Sequence, residues 1–355
     1  MGLQLSTYSN LTSQTDSFSD NNCLVFHCTH KIMLHFTSFH DIPDAEALIQ
    51  KALAIKQFAT SKNPQIQNPK LKPQNPKTLV LLFFNPSLRT RLSTEKAALT
   101  LNINVISMNA DAGWKIEFED GVVMDGDKAE HVKEAAGVIS QYADIIGIRT
   151  FPTLTDRERD YSEFVLRQFQ KYATVPILSL ESATLHPLQS LADAMTIEEF
   201  KPKPRPKVVL TWAPHVRALP QAVANSFVEW MKNRNVELVV THPPGAELAS
   251  QFVENVQIEY DQRKAFESAD FIYAKNWSSY TDYGQLISPK ENWMVTAEKM
   301  ALTNQARFLH CLPVRRNVVV EDAVLDAPYS LILQQAKNRE YAAQAVLEEI
   351  LQNLT

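Results

Sequence analysis

The 355-residue chain is 45% hydrophobic and 21% charged, with a formal net charge of −5. That length accommodates two domains of ordinary size, and the balance excludes a wholly disordered chain and the basic surface usual in a general nucleic-acid binder. Three cysteines, Cys23, Cys28 and Cys311, are too few for a disulfide framework, which fits a reducing, cytoplasmic setting, and no window approaches the ~18 apolar residues of a membrane span.

Residues 1–32 carry neither the apolar core of a secretory signal nor the arginines of a transit peptide, and they read as a disordered extension. Cys23, His27, Cys28 and His30 fall within it, in a segment rich in Ser, Thr and Asn that favours incidental residues over a metal clip. Four prolines between Asn63 and Lys77 predict an exposed loop. Short apolar runs then alternate with helical spacing: TLVLLFF from Thr78, NVISM from Asn104, DIIGIR from Asp144 and VPILSL from Val175. A helical segment from His186 to Phe200 leads to a second series, with KVVLTWA from Lys207, VELVVTH from Val236, ADFIYAKN from Ala269 and ARFLHCLP from Ala306. An amphipathic helix from Asn338 closes the chain. The expected class is α/β, with two doubly wound parallel-sheet domains.

In such sheets ligands bind beyond the carboxyl ends of the strands. The first run is followed there by NPSLRTRLSTEKAALTL, in which Pro86 and Ser87 supply a helix start. Helix-start N–H groups, the hydroxyls of Ser87 and Thr90, and the guanidinium groups of Arg89 and Arg91 would converge on one phosphate; a capped helix with two solvated arginines is the plain alternative. Arg149 closes the DIIGIR run, and His186 and Gln189 share a helix face. A surface arginine and a satisfied core histidine are the alternatives there. Neither His-Glu-x-x-His nor a glycine-rich nucleotide loop occurs, so no metal and no nucleotide cofactor are expected.

Ser-x-Arg-Thr-Arg after a buried strand, His186-Pro187-x-Gln189, and His310-Cys311-Leu312-Pro313, in that order, resemble the aspartate and ornithine carbamoyltransferase family. The resemblance runs from about Met33 to the C-terminus. It implies direct attack of an amine on carbamoyl phosphate, with Arg89, Arg149, His186, Gln189 and Cys311 at the reacting centre and no covalent role for the thiol. It also implies a carbamoyl-phosphate site of Ser87, Leu88, Arg89, Thr90, Arg149, His186, Pro187, Leu188, Gln189, Cys311, Leu312 and Arg339, with Trp114 reaching in from a neighbouring subunit. Attack builds negative charge on the carbonyl oxygen, which Thr90, Arg149 and His186 can meet with donors. Burial of a small apolar residue remains the alternative for Cys311. The implied division is a carbamoyl-phosphate half at 33–185, completed by a C-terminal helix at 335–355, and an acceptor half at 186–334.

The Ser-Met-Gly segment by which ordinary ornithine transcarbamoylases bind a free amino acid is missing. NADAGWKIEFEDGVVMDGDKAEHVKEA from Asn109 and TWAPHVRALPQAVANSFVEW from Thr211 resemble instead the acylornithine branch, which implies acceptor binding by Glu181, His215, Lys275, Cys311, Leu312 and Arg315. At the position matching Ala129 the acetyl-specific form carries glutamate and the succinyl-specific form proline. Alanine spares a succinyl carboxylate the like-charge contact that glutamate would impose, so the succinyl substrate is expected. The resemblance further implies a homotrimer with active sites at subunit interfaces, and a knotted loop at APHVRALP. An acetyl-specific enzyme, an inactive trimeric scaffold and a dinucleotide binder are the competing readings. No nucleic-acid or membrane partner is expected.

Overall fold

The computed structural model describes residues 33–61, 76–110 and 113–354. The expected extension at 1–32, with Cys23 and Cys28, and most of the expected proline loop lie outside the described residues.

The first layer begins with α1 (Ala45–Thr60), capped by Asp44, whose carboxylate accepts from the Ala47 N–H. β1 (Thr78–Phe83) crosses over through α2 (Arg89–Thr100) to β2 (Asn104–Asn109), its parallel neighbour. A two-residue parallel pair, β3 (Ile116–Glu117) with β4 (Glu130–His131), precedes α3 (Val132–Tyr142) and is too short to have been expected from apolar periodicity. β5 (Ile145–Arg149), α4 (Arg157–Tyr161), α5 (Phe164–Tyr172) and β6 (Ile177–Glu181) complete a parallel sheet of order β2-β1-β5-β6. β1 and β5 are interior strands covered on both faces, which is why they read as unbroken apolar runs.

α6 (Pro187–Phe200) opens with proline where a missing N–H costs nothing. Its residues 187–197 are all buried, because α1, α7 (Ala222–Lys232) and the C-terminal helix (Ile332–Gln352) pack around it. The second sheet has β7 (Lys207–Trp212), β8 (Glu237–Thr241), β9 (Gln257–Glu259), β10 (Phe271–Lys275) and β11 (Arg307–Leu309), all parallel, in the order β11-β10-β7-β8-β9. β9 is an addition to the expected strands; at three residues with polar ends it carries no apolar run.

The C-terminal helix begins at Ile332 rather than Asn338 and lies against α1, α2 and α6, returning the chain to the first sheet. Val346, Leu347 and Ile350 on it are fully buried; each contributes about 2 kcal/mol by leaving water. One hydrophobic core joins Leu81 and Leu178 of the first sheet, Leu191 of α6, Leu210 of the second sheet and Leu347.

Candidate active site

The carboxyl ends of β1, β5, β6 and β10 border one cavity of about 810 Å3, to which Phe83, Arg149, Glu181 and Lys275 all contribute. At the end of β1 the chain turns through Asn85, Pro86, Ser87 and Leu88 into α2. Ser87 Oγ accepts from the Thr90 N–H at 3.3 Å, so the serine hydroxyl and the unpaired amides of the first helical turn face the same space. Arg89 lines this wall; burial lowers its pKa, Arg149 adds to that effect, and Cys311 and Glu181 oppose it. Arg91 departs from the expected convergence on one phosphate. It also lines the cavity, but its guanidinium donates to Ser107 Oγ at 2.5 Å and to Asn109 Oδ1 at 2.5 Å, and stacks over Phe83 at 4.2 Å.

Behind this loop the predicted donors assemble around Thr90, which is 1% exposed. Thr90 Oγ1 accepts from Arg149 Nη1 at 3.1 Å and from Arg339 Nη2 at 2.6 Å. Arg149 also pairs with Glu181 at 2.7 Å, and His186 Nε2 lies 3.7 Å from the same carboxylate oxygen. Arg339 donates to Gln189 Oε1, and its pKa falls to about 10 through burial, with Arg149 close by. Burial, reinforced by Arg339, Arg149, Arg89 and Lys275, holds His186 well below the usual histidine range, so the ring is a neutral donor and acceptor. His186 Nδ1, Arg149 Nε and Arg339 Nε are buried without a hydrogen-bond partner. The segment that delivers His186 is held by Glu163 at the start of α5, whose carboxylate accepts from Ser182 Oγ at 2.7 Å, Thr184 N at 2.8 Å and Ala183 N at 3.2 Å.

The second sheet supplies the opposite wall. Lys275 closes β10 and donates to Asn276 O at 3.0 Å. His215 Nε2 accepts from Arg315 Nε at 3.2 Å while its Nδ1 lies 3.0 Å from Arg217 O, an arrangement that suits a neutral ring; burial lowers its pKa. After β11, Cys311 is buried, and burial pushes its thiol upward, away from the thiolate a nucleophile requires. Leu312 sits at φ 56°, costly for a branched side chain, and its N–H donates to His310 Nδ1 at 2.8 Å.

Ser87, Leu88, Arg89, Thr90, Arg149, Glu181, His186, Gln189, His215, Lys275, Cys311, Leu312, Arg315 and Arg339 therefore border one space. Four expected site residues do not. The side chains of Pro187 and Leu188 turn into the interior, Leu188 joining the core, because α6 shows the cavity only the face with His186 and Gln189. Trp114 donates from Nε1 to Glu130 Oε2 at 2.8 Å, and Ala129, exposed, donates its N–H to Lys115 O at 2.9 Å; within one chain neither reaches the cavity. Asn85, Asn109 and Arg217 line it and were not singled out in the sequence, although Asn85 opens the phosphate-loop motif and Arg217 stands in the proline-bearing loop. Seven cationic side chains and one carboxylate, Glu181, border the space, which therefore attracts polyanions. Among the described residues no group of His, Cys, Asp and Glu could hold a metal ion, and no helix is long and apolar enough to cross a membrane.

Two family models match, the aspartate/ornithine carbamoyltransferase carbamoyl-P binding domain over residues 34–199 and the Asp/Orn binding domain over residues 220–350. The chain is 51% identical to an N-succinylornithine carbamoyltransferase of Bacteroides fragilis over 325 residues, 91% of this chain and 100% of the relative. An N-acetylornithine carbamoyltransferase of Xanthomonas campestris is 37% identical over 298 residues, 78% of this chain and 87% of the relative. A crystal structure of a point mutant of N-acetyl-L-ornithine transcarbamylase, complexed with carbamyl phosphate and N-succinyl-L-norvaline, matches with a TM-score of 0.79 at 34% identity, covering 88% of this chain and 98% of that one.

Proposed function

The chain belongs to the aspartate/ornithine carbamoyltransferase family, and from that premise we propose that it transfers the carbamoyl group of carbamoyl phosphate to the side-chain amine of N2-succinyl-L-ornithine. The products are N-succinyl-L-citrulline and phosphate, and the reaction serves arginine biosynthesis. The observation that carries this reading is the meeting of the α2 start, Arg89, Thr90, Arg149, His186, Gln189 and Arg339 around one space whose charged lining is seven cations and a single carboxylate.

The phosphate group takes Ser87, the amides of residues 88–90 and Arg89. Its carbonyl oxygen takes the Thr90 hydroxyl, Arg149 and His186, which are already in place as charge grows on that oxygen. His186 does this as a neutral donor, so its protonation plays no part near neutral pH. The amine attacks the carbamoyl carbon, the bond from that carbon to the phosphate oxygen breaks, and the amine proton passes to the departing phosphate. Surrounding cations disfavour an ammonium and keep the amine in its nucleophilic form. Lys275, His215, Arg315, Cys311 and Leu312 place the acylornithine, whose two carboxylates suit the remaining cations. The division of labour follows the family: residues 33–185 with the C-terminal helix for carbamoyl phosphate, and 186–334 for the acceptor. The reaction belongs in the cytoplasm, where the cysteines stay reduced.

A homotrimer completes the proposal. Leu92 and Leu99 stand exposed on α2 at 57% and 66%, Leu88 just before it at 66%, and Ile106 and Met108 are exposed on β2. Arg91 ties that helix to that strand. An apolar surface of this kind beside the cavity supports a second copy there, bringing Trp114 and Ala129 to the site of its neighbour.

The deciding experiment compares turnover of ornithine, N-acetylornithine and N-succinylornithine with carbamoyl phosphate, followed as citrulline product. The succinyl substrate should lead in kcat/KM, and Ala129→Glu should shift preference toward the acetyl substrate by about tenfold, the scale of one like-charge contact. Preference for N-acetylornithine in the unaltered chain would overturn the substrate assignment.

A further inference from the structure

Beneath the cavity, one buried carboxyl group joins two side-chain amides from distant parts of the chain. Asp193 on α6 is 0% exposed, and its Oδ1 accepts from Gln189 Nε2 at 2.7 Å and from Gln335 Nε2 at 2.6 Å. These contacts settle which way both amides face. A guanidinium only donates and this carboxyl oxygen only accepts. Between Arg339 and Asp193, Gln189 must therefore turn its NH2 to the aspartate and its Oε1 to the arginine. Gln335 is constrained in the same way, since its Oε1 accepts from the His310 N–H at 2.9 Å. His310 Nδ1 accepts in turn from the Leu312 N–H at 2.8 Å. One oxygen thus governs an amide in the cavity wall and, through two further hydrogen bonds, the Cys311–Leu312 turn on the other side.

We propose that Asp193 is a positioning residue for carbamoyl transfer: its Oδ1 holds Gln189 with the amide oxygen toward the cavity, where that oxygen accepts from the carbamoyl NH2, and through Gln335 and His310 it sets the turn that faces the same ligand. This rests on the carbamoyltransferase reading above. The carbamoyl NH2 can only donate, so a reversed Gln189 would set donor against donor at both the ligand and Arg339. The role asks for an accepting oxygen and not for a charge. Consistently, burial raises Asp193 to about 7, and the Tyr273 hydroxyl faces the same carboxyl group in the interior.

The test uses the full chain with Asp193→Leu, which removes the acceptor at similar volume, and Asp193→Asn, which keeps one. Steady-state kinetics with both substrates should show Asp193→Leu raising the KM for carbamoyl phosphate and lowering kcat, each on the order of tenfold, as expected for a lost buried hydrogen bond. Asp193→Asn should recover most of both losses. A role in core packing alone would lower thermal stability without moving KM, and would not distinguish Asn from Leu. If Asp193→Leu does not fold, Gln335→Met carries the test by cutting only the His310 branch, and should raise the KM of both substrates. An unchanged KM in Asp193→Leu, equal damage from Asn and Leu, or unchanged KM values in a folded Gln335→Met would each overturn the proposal while the unaltered chain stays active. Absence of turnover in the unaltered chain would overturn the function itself, and the positioning role with it.

Discussion

Two guanidinium groups converge on the Thr90 hydroxyl, Arg149 at 3.1 Å and Arg339 at 2.6 Å. With both lone pairs engaged, the hydroxyl proton is left free to donate into the cavity, as a developing oxyanion requires. Arg89 makes neither of these contacts, and in the proposed reaction it is the charged side chain that meets the phosphate. Arg89→Ala should therefore cut kcat/KM for carbamoyl phosphate by about 10^2–10^3-fold, the range for removing one preorganised charged donor; steady-state kinetics near the unaltered values would refute the phosphate site. Arg89, Arg149 and His186 were legible because each follows an apolar run in the sequence. Arg91 borders the cavity as expected, but nothing local shows that its guanidinium also bonds Ser107 and Asn109. Asp193 was invisible as well, since in SLAD it reads as an ordinary polar position of a helix.

At the scale of elements, a second join between the halves lies away from the reacting centre. Asp160 near the end of α4 accepts from Thr153 N at 2.8 Å, Leu154 N at 3.0 Å and the Tyr283 hydroxyl at 2.8 Å, and Arg157 reaches Tyr280 O at 3.2 Å. The loop after β10 is thereby strapped onto the loop after β5. Gly284 makes the strap possible: at φ 75°, a Cβ there would lie 2.0 Å from Leu154 O. Gly284→Ala should destabilise the protein by about 2 kcal/mol or more, read as a lower thermal midpoint, because it adds left-handed strain to a backbone clash. An unchanged midpoint would mean that the strap contributes nothing. The strands of five or more residues were legible from apolar runs, as was the three-residue β11 within ARFLHCLP, whereas β3, β4 and β9 were not, being two or three residues long with no apolar run around them. The reach of the C-terminal helix back to α2 was implied only by family likeness, since its amphipathic pattern names no partner.

For the whole molecule, the exposed leucines of α2 are a feature that a single chain leaves unexplained. Leu92→Glu would place a charge in the middle of that surface, and on the proposed trimer light scattering should record a shift from three subunits toward one, with activity falling as the proposed contribution of the neighbour's Trp114 is lost. A fully active monomer in the unaltered chain would remove the trimer from the proposal. By itself the sequence determined the α/β class, most strand runs and the loop from strand to helix start at Ser87, because burial on two faces and a helix start after a strand are properties of contiguous residues. Only the tertiary structure decided which cations share a cavity, that Pro187 and Leu188 face inward, and that a single buried carboxyl orients both Gln189 and Gln335. The longest of those relations, Asp193 with Gln335 and Thr90 with Arg339, join residues more than a hundred positions apart, and they exist only once two sheets and a returning helix have closed on one another.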